Sequence, residues 1–155
     1  MRYIVFSLVA LMLASVAPAD IAPRAGWVVL PTDKDHGTLL ADLKSAVKTN
    51  KMGVVTQAGP TATARKRGVE IPENRVVGVF NNVFAVAVLE TSTAAMIEAP
   101  IRFYVTEDAD GSATLSYKTP SFVFGPYVDE GGEALQALAG ELDQIFDQIA
   151  TQAVR

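Results

Sequence analysis

Apolar and polar residues alternate along two neighbouring segments of the chain, 101–106 and 113–118. In both segments the odd-numbered residues are apolar and the even-numbered ones are mostly polar. Alternation with a period of two is typical of strands that bury one face, so the pattern predicts a β-hairpin. For the odd-numbered residues to share the inward face, the loop must hold an odd number of residues, or an even number with a bulge. Asp108–Gly111 fits, as a type I turn with Gly111 left-handed and opening a bulge.

Helical spacing of apolar residues marks two other segments. One apolar stripe runs over four turns and predicts an amphipathic C-terminal helix over about 133–150, through Leu135, Leu138, Leu142, Ile145, Phe146 and Ile149. A second series begins at Leu39 and predicts a helix over 39–51, with Thr38 as its N-cap and Gly53 as its stop.

Shorter apolar runs complete the predicted order of elements. Strands are expected at 27–30, 53–57 and 75–80, and one or two helical turns at 60–68. The stretch 82–99 has strand-forming residues but is nearly continuously apolar, so a buried helix fits equally well. We interpret it as a helix over 82–90, a break at 91–93, and one more turn before Pro100.

These elements predict a single α+β domain: an antiparallel, curved sheet with helices packed on one face. The other face then carries the polar side of the hairpin: Arg102, Tyr104, Thr106, Thr114, Ser116 and Lys118. Two interpretations remain open, a solvated face or a surface for a partner or ligand. Tyr104 and the apolar segment Phe122–Phe124 favour a face that pairs with a second copy, so a homodimer is expected.

The N-terminus has the pattern of a secretory signal peptide. Met1-Arg2 precedes an apolar run over Tyr3–Val16, and Ala17-Pro18-Ala19 provides small residues for cleavage before Asp20. The run is short for a membrane span, so no stable membrane insertion is expected after cleavage. The sequence thus predicts a signal peptide over 1–19, a domain over 20–155, and a periplasmic or secreted location.

Composition narrows the classes of function. The chain has 155 residues, a net charge of −4, one histidine and no cysteine. A net negative charge argues against a nucleic-acid partner, and the absence of cysteine excludes disulfides, thiol nucleophiles and thiolate metal sites.

Five short motifs follow one another along the chain: Gly68–Pro72, Val76–Asn81, Ala99–Val105, Glu107–Gly111, and Leu115–Tyr117 followed by Pro120. In this order they resemble the domain of unknown function 302 family, over about residues 27–150. The resemblance implies a β-α-β-β-α-β-β-α arrangement, favours the helix over 82–90, and implies dimers; it implies no established activity. Many members carry an Asp-His pair after the second strand, where this chain has Gln57–Pro60. The family's Asn-Pro and Leu-Pro are here Asn81-Asn82 and Ala99-Pro100.

Few residues of the sequence suggest a catalytic, metal-binding or ligand-binding role. His36 with Asp33 and Asp35 is interpreted as a solvated polar loop, because a metal site needs three or four converging ligands. Neither a metal site, a cofactor nor a catalytic residue is predicted. Glu107 and Asp108 are explained by turn chemistry, although a carboxylate acting as a base near Arg102 and Tyr104 is the alternative. Asn82 is expected to cap the following helix, and Asn81 to adopt an unusual backbone angle or face a cleft.

The sequence therefore predicts an exported protein that acts by binding, to a small molecule, an envelope protein or a second copy. The candidate binding residues are Asn81, Asn82, Arg102, Tyr104, Glu107 and Asp108. The alternative is a weak carboxylate-based hydrolase or isomerase of the cell envelope.

Overall fold

Five strands and five α-helices make up the part of the chain that the computed structural model describes, residues 21–155. The strands are β1 (Trp27–Thr32), β2 (Gly53–Ala58), β3 (Asn74–Phe80), β4 (Ile101–Glu107) and β5 (Ala113–Lys118). The helices are α1 (His36–Thr49), α2 (Thr61–Lys66), α3 (Asn82–Thr91), α4 (Pro120–Phe124) and α5 (Val128–Val154), with 3₁₀ turns at Ala95–Glu98 and Gly125–Tyr127. The predicted signal peptide and its cleavage site lie outside the described residues.

The strands form one antiparallel sheet in the order β1-β5-β4-β3-β2. The first two strands of the chain are therefore its two edges, and α1 connects one edge to the other. Pro31 lies within β1, which extends beyond the predicted end at Leu30. An edge strand tolerates proline because one row of its N–H groups has no partner strand.

The β4–β5 hairpin confirms the predicted parity. Glu107 pairs with Ala113, which leaves residues 108–112 as the loop. Gly111 has a φ of 87° and donates its N–H to the carbonyl oxygen of Asp108 at 3.0 Å. A left-handed residue is required there, and glycine adopts that conformation without a Cβ penalty.

The core lies between one face of the sheet and the helices. Phe146 of α5 stacks on Phe103 of β4 with ring centroids 4.7 Å apart, and Tyr117 of β5 lies 5.0 Å from Phe103. Leu39 and Leu43 of α1 are also fully buried. The mixed α+β architecture is therefore confirmed, with α1 and α5 providing the helical layer.

Helix α5 follows the predicted stripe but begins earlier than residue 133. Leu135, Phe146 and Ile149 are fully buried and Leu142 nearly so. Gly132 has φ 60° and ψ −155°, which interrupts the helical backbone within the segment. Only glycine adopts this combination readily, so Gly132 separates a short first part of α5 from the long amphipathic part.

The boundaries of α1 differ from the prediction. Asp35 is the N-cap rather than Thr38, because its carboxylate accepts from the backbone N–H of Thr38 at 3.0 Å and from the Thr38 hydroxyl at 2.7 Å. These bonds lower the pKa of Asp35, the side-chain bond to Thr38 contributing most. The helix consequently starts at His36, and it ends at Thr49, before Lys51, which has a φ of 58°.

Helix α3 and the 3₁₀ turn confirm the predicted division of 82–99, whereas α4 was not predicted. The Thr119 hydroxyl accepts from the Phe122 N–H at 3.3 Å, and Pro120 occupies the first turn. Phe124 is thereby buried in the core at 2% exposure, and Phe122 remains 47% exposed. The predicted apolar segment Phe122–Phe124 thus lies in a helix, with Phe124 in the core and Phe122 at the surface.

Candidate functional site

One face of the sheet carries the polar side of the hairpin, as predicted. Cross-strand pairing aligns Trp27 with Lys118, Val29 with Ser116, Ser116 with Tyr104, and Tyr104 with Val76. We call this surface the open face; it consists of Trp27, Val29, Pro31, Asn74, Val76, Gly78, Arg102, Tyr104, Thr106, Thr114, Ser116 and Lys118. The helices α1 and α5 pack against the opposite face.

Exposure varies strongly across the open face. Arg102 and Lys118 are exposed and Tyr104 is half-buried, but Thr114 is only 6% exposed and Ser116 is fully buried. Ser116 is short and stands between two larger cross-strand neighbours, Val29 and Tyr104. The prediction of an uncovered polar surface therefore holds at Arg102 and Lys118 and is wrong at the middle of β5.

A groove of about 310 Å³ crosses the open face where β4 begins and β5 ends. Its side-chain lining includes aromatic, cationic and apolar groups: Trp27, Val76, Arg102, Tyr104, Ser116 and Lys118, with Glu98 and Val123 at one end. This volume lies at the lower end of the range for small-molecule pockets. We refer to it as the open-face groove.

Positive charge gathers around the tryptophan of the open-face groove. The Arg24 guanidinium lies 5.0 Å, and the Lys118 ammonium 5.7 Å, from the centroid of the Trp27 ring. Within residues 21–155, neither Arg102 nor Lys118 forms an ion pair. Both charges therefore remain available to an anion.

The acid at the end of the groove is already engaged. Glu98 Oε1 accepts a hydrogen bond from the Tyr127 hydroxyl at 2.8 Å. This bond raises the pKa of Tyr127, with burial and the charge of Glu98 adding to the effect. The hydrogen bond holds the Glu98 side chain in place through Tyr127, a residue that lies outside the sheet.

Ser116 contributes an unusual polar group to the groove. Its Oγ is buried and has no hydrogen-bond partner among the described residues. Buried hydroxyls are normally hydrogen-bonded, and an unpartnered one costs stability. Thr114, two residues earlier on the same strand, shows the usual arrangement, because its hydroxyl donates to Asp108 Oδ2 at 2.7 Å.

The predicted cap at Asn82 and the predicted unusual backbone angle at Asn81 are both wrong, because Asn81 and not Asn82 caps the helix. Asn81 is the N-cap of α3: its Oδ1 accepts from the Val83 N–H at 2.8 Å, and its Nδ2 donates to the Lys51 carbonyl at 3.0 Å. Its backbone is ordinary extended structure, with φ −142°. Asn82 is an exposed residue of the first helical turn. Both Asn81 hydrogen bonds are structural: the bond from Val83 caps α3, and the bond to Lys51 ties α3 to the segment that follows α1.

The cleft beside Asn81 is small and apolar. Its volume is about 30 Å³, and its lining includes Phe84, Met96 and Phe146. That is roughly the volume one water molecule occupies in the liquid, and water also needs polar partners. The open-face groove is about ten times larger by the same measure.

The carboxylates of Glu107 and Asp108, both predicted binding residues, accept hydrogen bonds from neighbouring groups at the end of the hairpin. Glu107 Oε2 accepts from the Glu73 N–H at 2.7 Å, and Asp108 Oδ2 accepts from the Thr114 hydroxyl at 2.7 Å. Arg102 and Glu107 are five residues apart on one strand, roughly 16 Å at 3.3 Å per residue. The structure therefore does not bring Glu107 and Asp108 together with Arg102 and Tyr104.

His36 lies in a different environment from the predicted solvated loop. It is the first residue of α1, is 8% exposed, and its Nε2 has no partner among the described residues. His36 is therefore a buried residue of α1 and not part of the connection before it. Residues 21–155 contain no group of three or more histidine or acidic side chains placed to hold a metal ion.

No helix within residues 21–155 is long and apolar enough to cross a membrane.

Arg102 and Tyr104, two of the predicted binding residues, line the open-face groove, whereas Trp27, Ser116 and Lys118 line it without having been predicted as binding residues. The alternation of β5 places Ser116 and Lys118 on the face of Tyr104, so that signal was present. Trp27 joins them only through the pairing of β1 with β5, which strand periodicity does not reveal.

Comparison with known proteins places this fold among uncharacterised relatives. The family model described as "Domain of unknown function DUF302" matches residues 28–152. A crystal structure titled as an uncharacterized conserved DUF302 protein from Bacillus stearothermophilus superposes with a TM-score of 0.74 at 16% identity, covering 85% of this chain and 100% of that one. At this identity the likeness concerns the fold alone. Among curated proteins, none matches the chain.

Proposed function

Since this chain belongs to the DUF302 family, whose description names no activity, we propose that its function follows from its own open-face groove and that it is an exported binding or accessory domain. The groove carries the proposal because it combines aromatic walls with cations that form no ion pair, and a buried hydroxyl that has no hydrogen-bond partner, within residues 21–155. Such convergence of a few polar groups in an apolar recess is the usual form of a small-molecule site.

Binding is better supported than catalysis. A carboxylate base needs to reach the reacting atom within hydrogen-bond distance or through one water. Glu107 and Asp108 instead hold backbone and hydroxyl groups at the far end of the hairpin. The acid nearest the groove, Glu98, accepts from Tyr127.

Export rests on the N-terminal sequence pattern. A positive start, an apolar run and small residues before Asp20 are typical of a cleaved signal, and a chain without cysteine tolerates an oxidising compartment. The proposed location is periplasmic or secreted.

Self-association is supported by an apolar surface that the sequence analysis had not selected. Val83, Val86 and Leu89 follow one another at helical spacing on α3 and are 76%, 47% and 45% exposed. Ile97 of the following 3₁₀ turn is 79% exposed. Exposed apolar side chains grouped in this way are typical of protein–protein contacts.

A native mass spectrum of the protein isolated from its own cell envelope tests the binding function. We expect a monomer or dimer whose native mass exceeds that of the chain alone, and we expect the additional mass to disappear when the protein is denatured. Bare chains in every preparation would contradict a binding role. Cleavage is read from the same sample, because a chain that still begins at Met1 contradicts the predicted signal peptide.

Light scattering on a size-exclusion column tests self-association separately. We expect a dimer, and we expect Val86→Asp to convert it to a monomer because the new charge would be desolvated in the contact. Val69→Asp is the matched control, since Val69 is 46% exposed but lies outside α3. A monomer at high micromolar concentration, or equal dissociation by both variants, would argue against association through α3.

A further inference from the structure

We propose that the open-face groove takes a small organic anion, with its charged head at Arg102 and Lys118 and its apolar body against Trp27 and Tyr104. This inference rests on the proposed function that the groove binds a ligand. It names the chemical class of that ligand, which neither the family description nor the fold supplies.

The charge of the groove points to an anion. Arg102 and Lys118 both line it, and within residues 21–155 neither is paired with a carboxylate. Glu98 is the acid in the lining, and its Oε1 accepts from Tyr127. The whole chain carries a net charge of −4, so this local excess of cations runs against the overall charge. Arginine and lysine together bind an anionic oxygen by charge-assisted hydrogen bonds.

The apolar walls of the groove favour an organic anion over an inorganic one. Trp27, Tyr104, Val76 and Val123 offer aromatic and aliphatic surface next to the cations. Burying such surface against an apolar body is favourable, whereas an inorganic anion would leave it in contact with water. A volume of about 310 Å³ suits a small molecule and is too small for a folded partner.

Ser116 supplies a second polar contact on the floor of the groove. Its buried Oγ lacks a partner among the described residues, and Tyr104 is the residue paired with Ser116 across β4 and β5. An acceptor on the ligand, reached when the Tyr104 side chain shifts, would satisfy this hydroxyl. The chain would then recover on binding the stability that an unpartnered hydroxyl costs.

The groove contains its own spectroscopic reporter, because Trp27 is the chain's single tryptophan. The purified protein is titrated at fixed ionic strength with 3-phenylpropionate while the Trp27 fluorescence is recorded. Two matched probes accompany it: 3-phenylpropanamide has the same body without the charge, and acetate has the charge without the body. We expect saturable binding of 3-phenylpropionate, at least tenfold tighter than either control probe.

Variants locate the contact. Arg102→Gln should weaken binding of 3-phenylpropionate about 10- to 100-fold, the range for a lost hydrogen bond to a charged group. Arg67→Gln, which removes an exposed cation that does not line the groove, should leave the affinity unchanged. Ser116→Ala should weaken binding without lowering the stability of the free protein.

The outcomes separate this inference from the proposed function. If 3-phenylpropanamide binds as tightly as 3-phenylpropionate, or if Arg102→Gln and Arg67→Gln lose the same affinity, the ligand is not recognised by its charge. The groove would then remain a binding site, but not one for an anion. No response of Trp27 to any probe would also overturn the ligand class. Undiminished affinity in Ser116→Ala would remove the floor hydroxyl from the proposed contact. The proposed function itself fails only if the native mass spectrum shows bare chains.

Discussion

Glu107 is joined to Glu73 by two hydrogen bonds that run in opposite directions. The Glu107 carboxylate accepts from the Glu73 N–H at 2.7 Å, and the Glu107 N–H donates to the Glu73 carbonyl at 2.9 Å. The pair fastens the end of β4 to the segment that leads into β3. A carboxylate that appeared from the sequence to be a candidate base is therefore an acceptor for the backbone.

Substitution of Glu107 distinguishes these two roles. Glu107→Gln keeps an oxygen acceptor, so we expect its free energy of unfolding to stay within about 0.5 kcal/mol of wild type. Glu107→Ala leaves the Glu73 N–H without its partner and should cost about 1–2 kcal/mol. Urea denaturation measures both. A Glu107→Gln variant that keeps its stability but loses ligand binding or a cellular phenotype would instead assign the carboxylate a functional role.

The neighbouring asparagines before α3 provide a second test. Asn81→Ala removes the cap of α3 and the contact with the Lys51 carbonyl, and we expect a loss of about 1–2 kcal/mol in the free energy of unfolding. Asn82→Ala is the matched control, because Asn82 is exposed and alanine favours a helix; its effect should be within about 0.5 kcal/mol. Equal losses in thermal or urea denaturation would refute the assignment of the cap.

Periodicity alone was sufficient for the hairpin and for α5. The alternation of residues 101–106 and 113–118 fixes which side chains share a face, and this correctly placed Arg102 and Tyr104 opposite the core. The stripe through Leu135 and Phe146 likewise identified the side of α5 that is buried. Both patterns are strong because each residue's burial depends on near neighbours in sequence.

Neither the helix caps nor the pairing of strands distant in sequence could be predicted from periodicity. Asp35 and Thr38, like Asn81 and Asn82, are both good capping residues, so the cap can lie at either residue without any change in the apolar pattern. The open-face groove depends on β1 meeting β5, which brings Trp27 to Lys118 across most of the chain. The burial of Ser116 follows from its larger neighbours on both adjacent strands.

The aromatic contact between the sheet and α5 is expected to dominate stability. Phe146 is fully buried and stacks on Phe103 at 4.7 Å between centroids. Phe146→Ala should lower the free energy of unfolding by about 3–5 kcal/mol, from lost transfer energy and the cavity left behind. Val83→Ala, at a position that is 76% exposed, serves as the control and should change it by less than about 0.5 kcal/mol in a monomeric sample. A small effect of Phe146→Ala would contradict the packing of α5 on β4.

Tyr117 is expected to make the free energy of unfolding depend on pH in the alkaline range. Burial raises the pKa of Tyr117 to about 12, and the negative charges of Asp147 and Asp143 add to the shift. In the unfolded chain the same phenol has its ordinary pKa near 10. Above pH 10 the unfolded chain loses this proton while the folded protein keeps it. Stability from this group is therefore complete below pH 10 and decreases as the pH rises toward 12.

Tyr117→Phe tests that linkage because the ring keeps its place beside Phe103 and Phe146, at 5.0 and 5.8 Å, while the ionisable group is removed. The free energy of unfolding of wild type should fall with a slope up to about 1.4 kcal/mol per pH unit steeper than that of the variant between pH 10 and 12. At pH 7 both proteins should have similar stability, since the phenol is neutral in the folded and the unfolded state. Parallel curves across the alkaline range would show that Tyr117 ionises equally easily in both states, and would contradict its burial against α5.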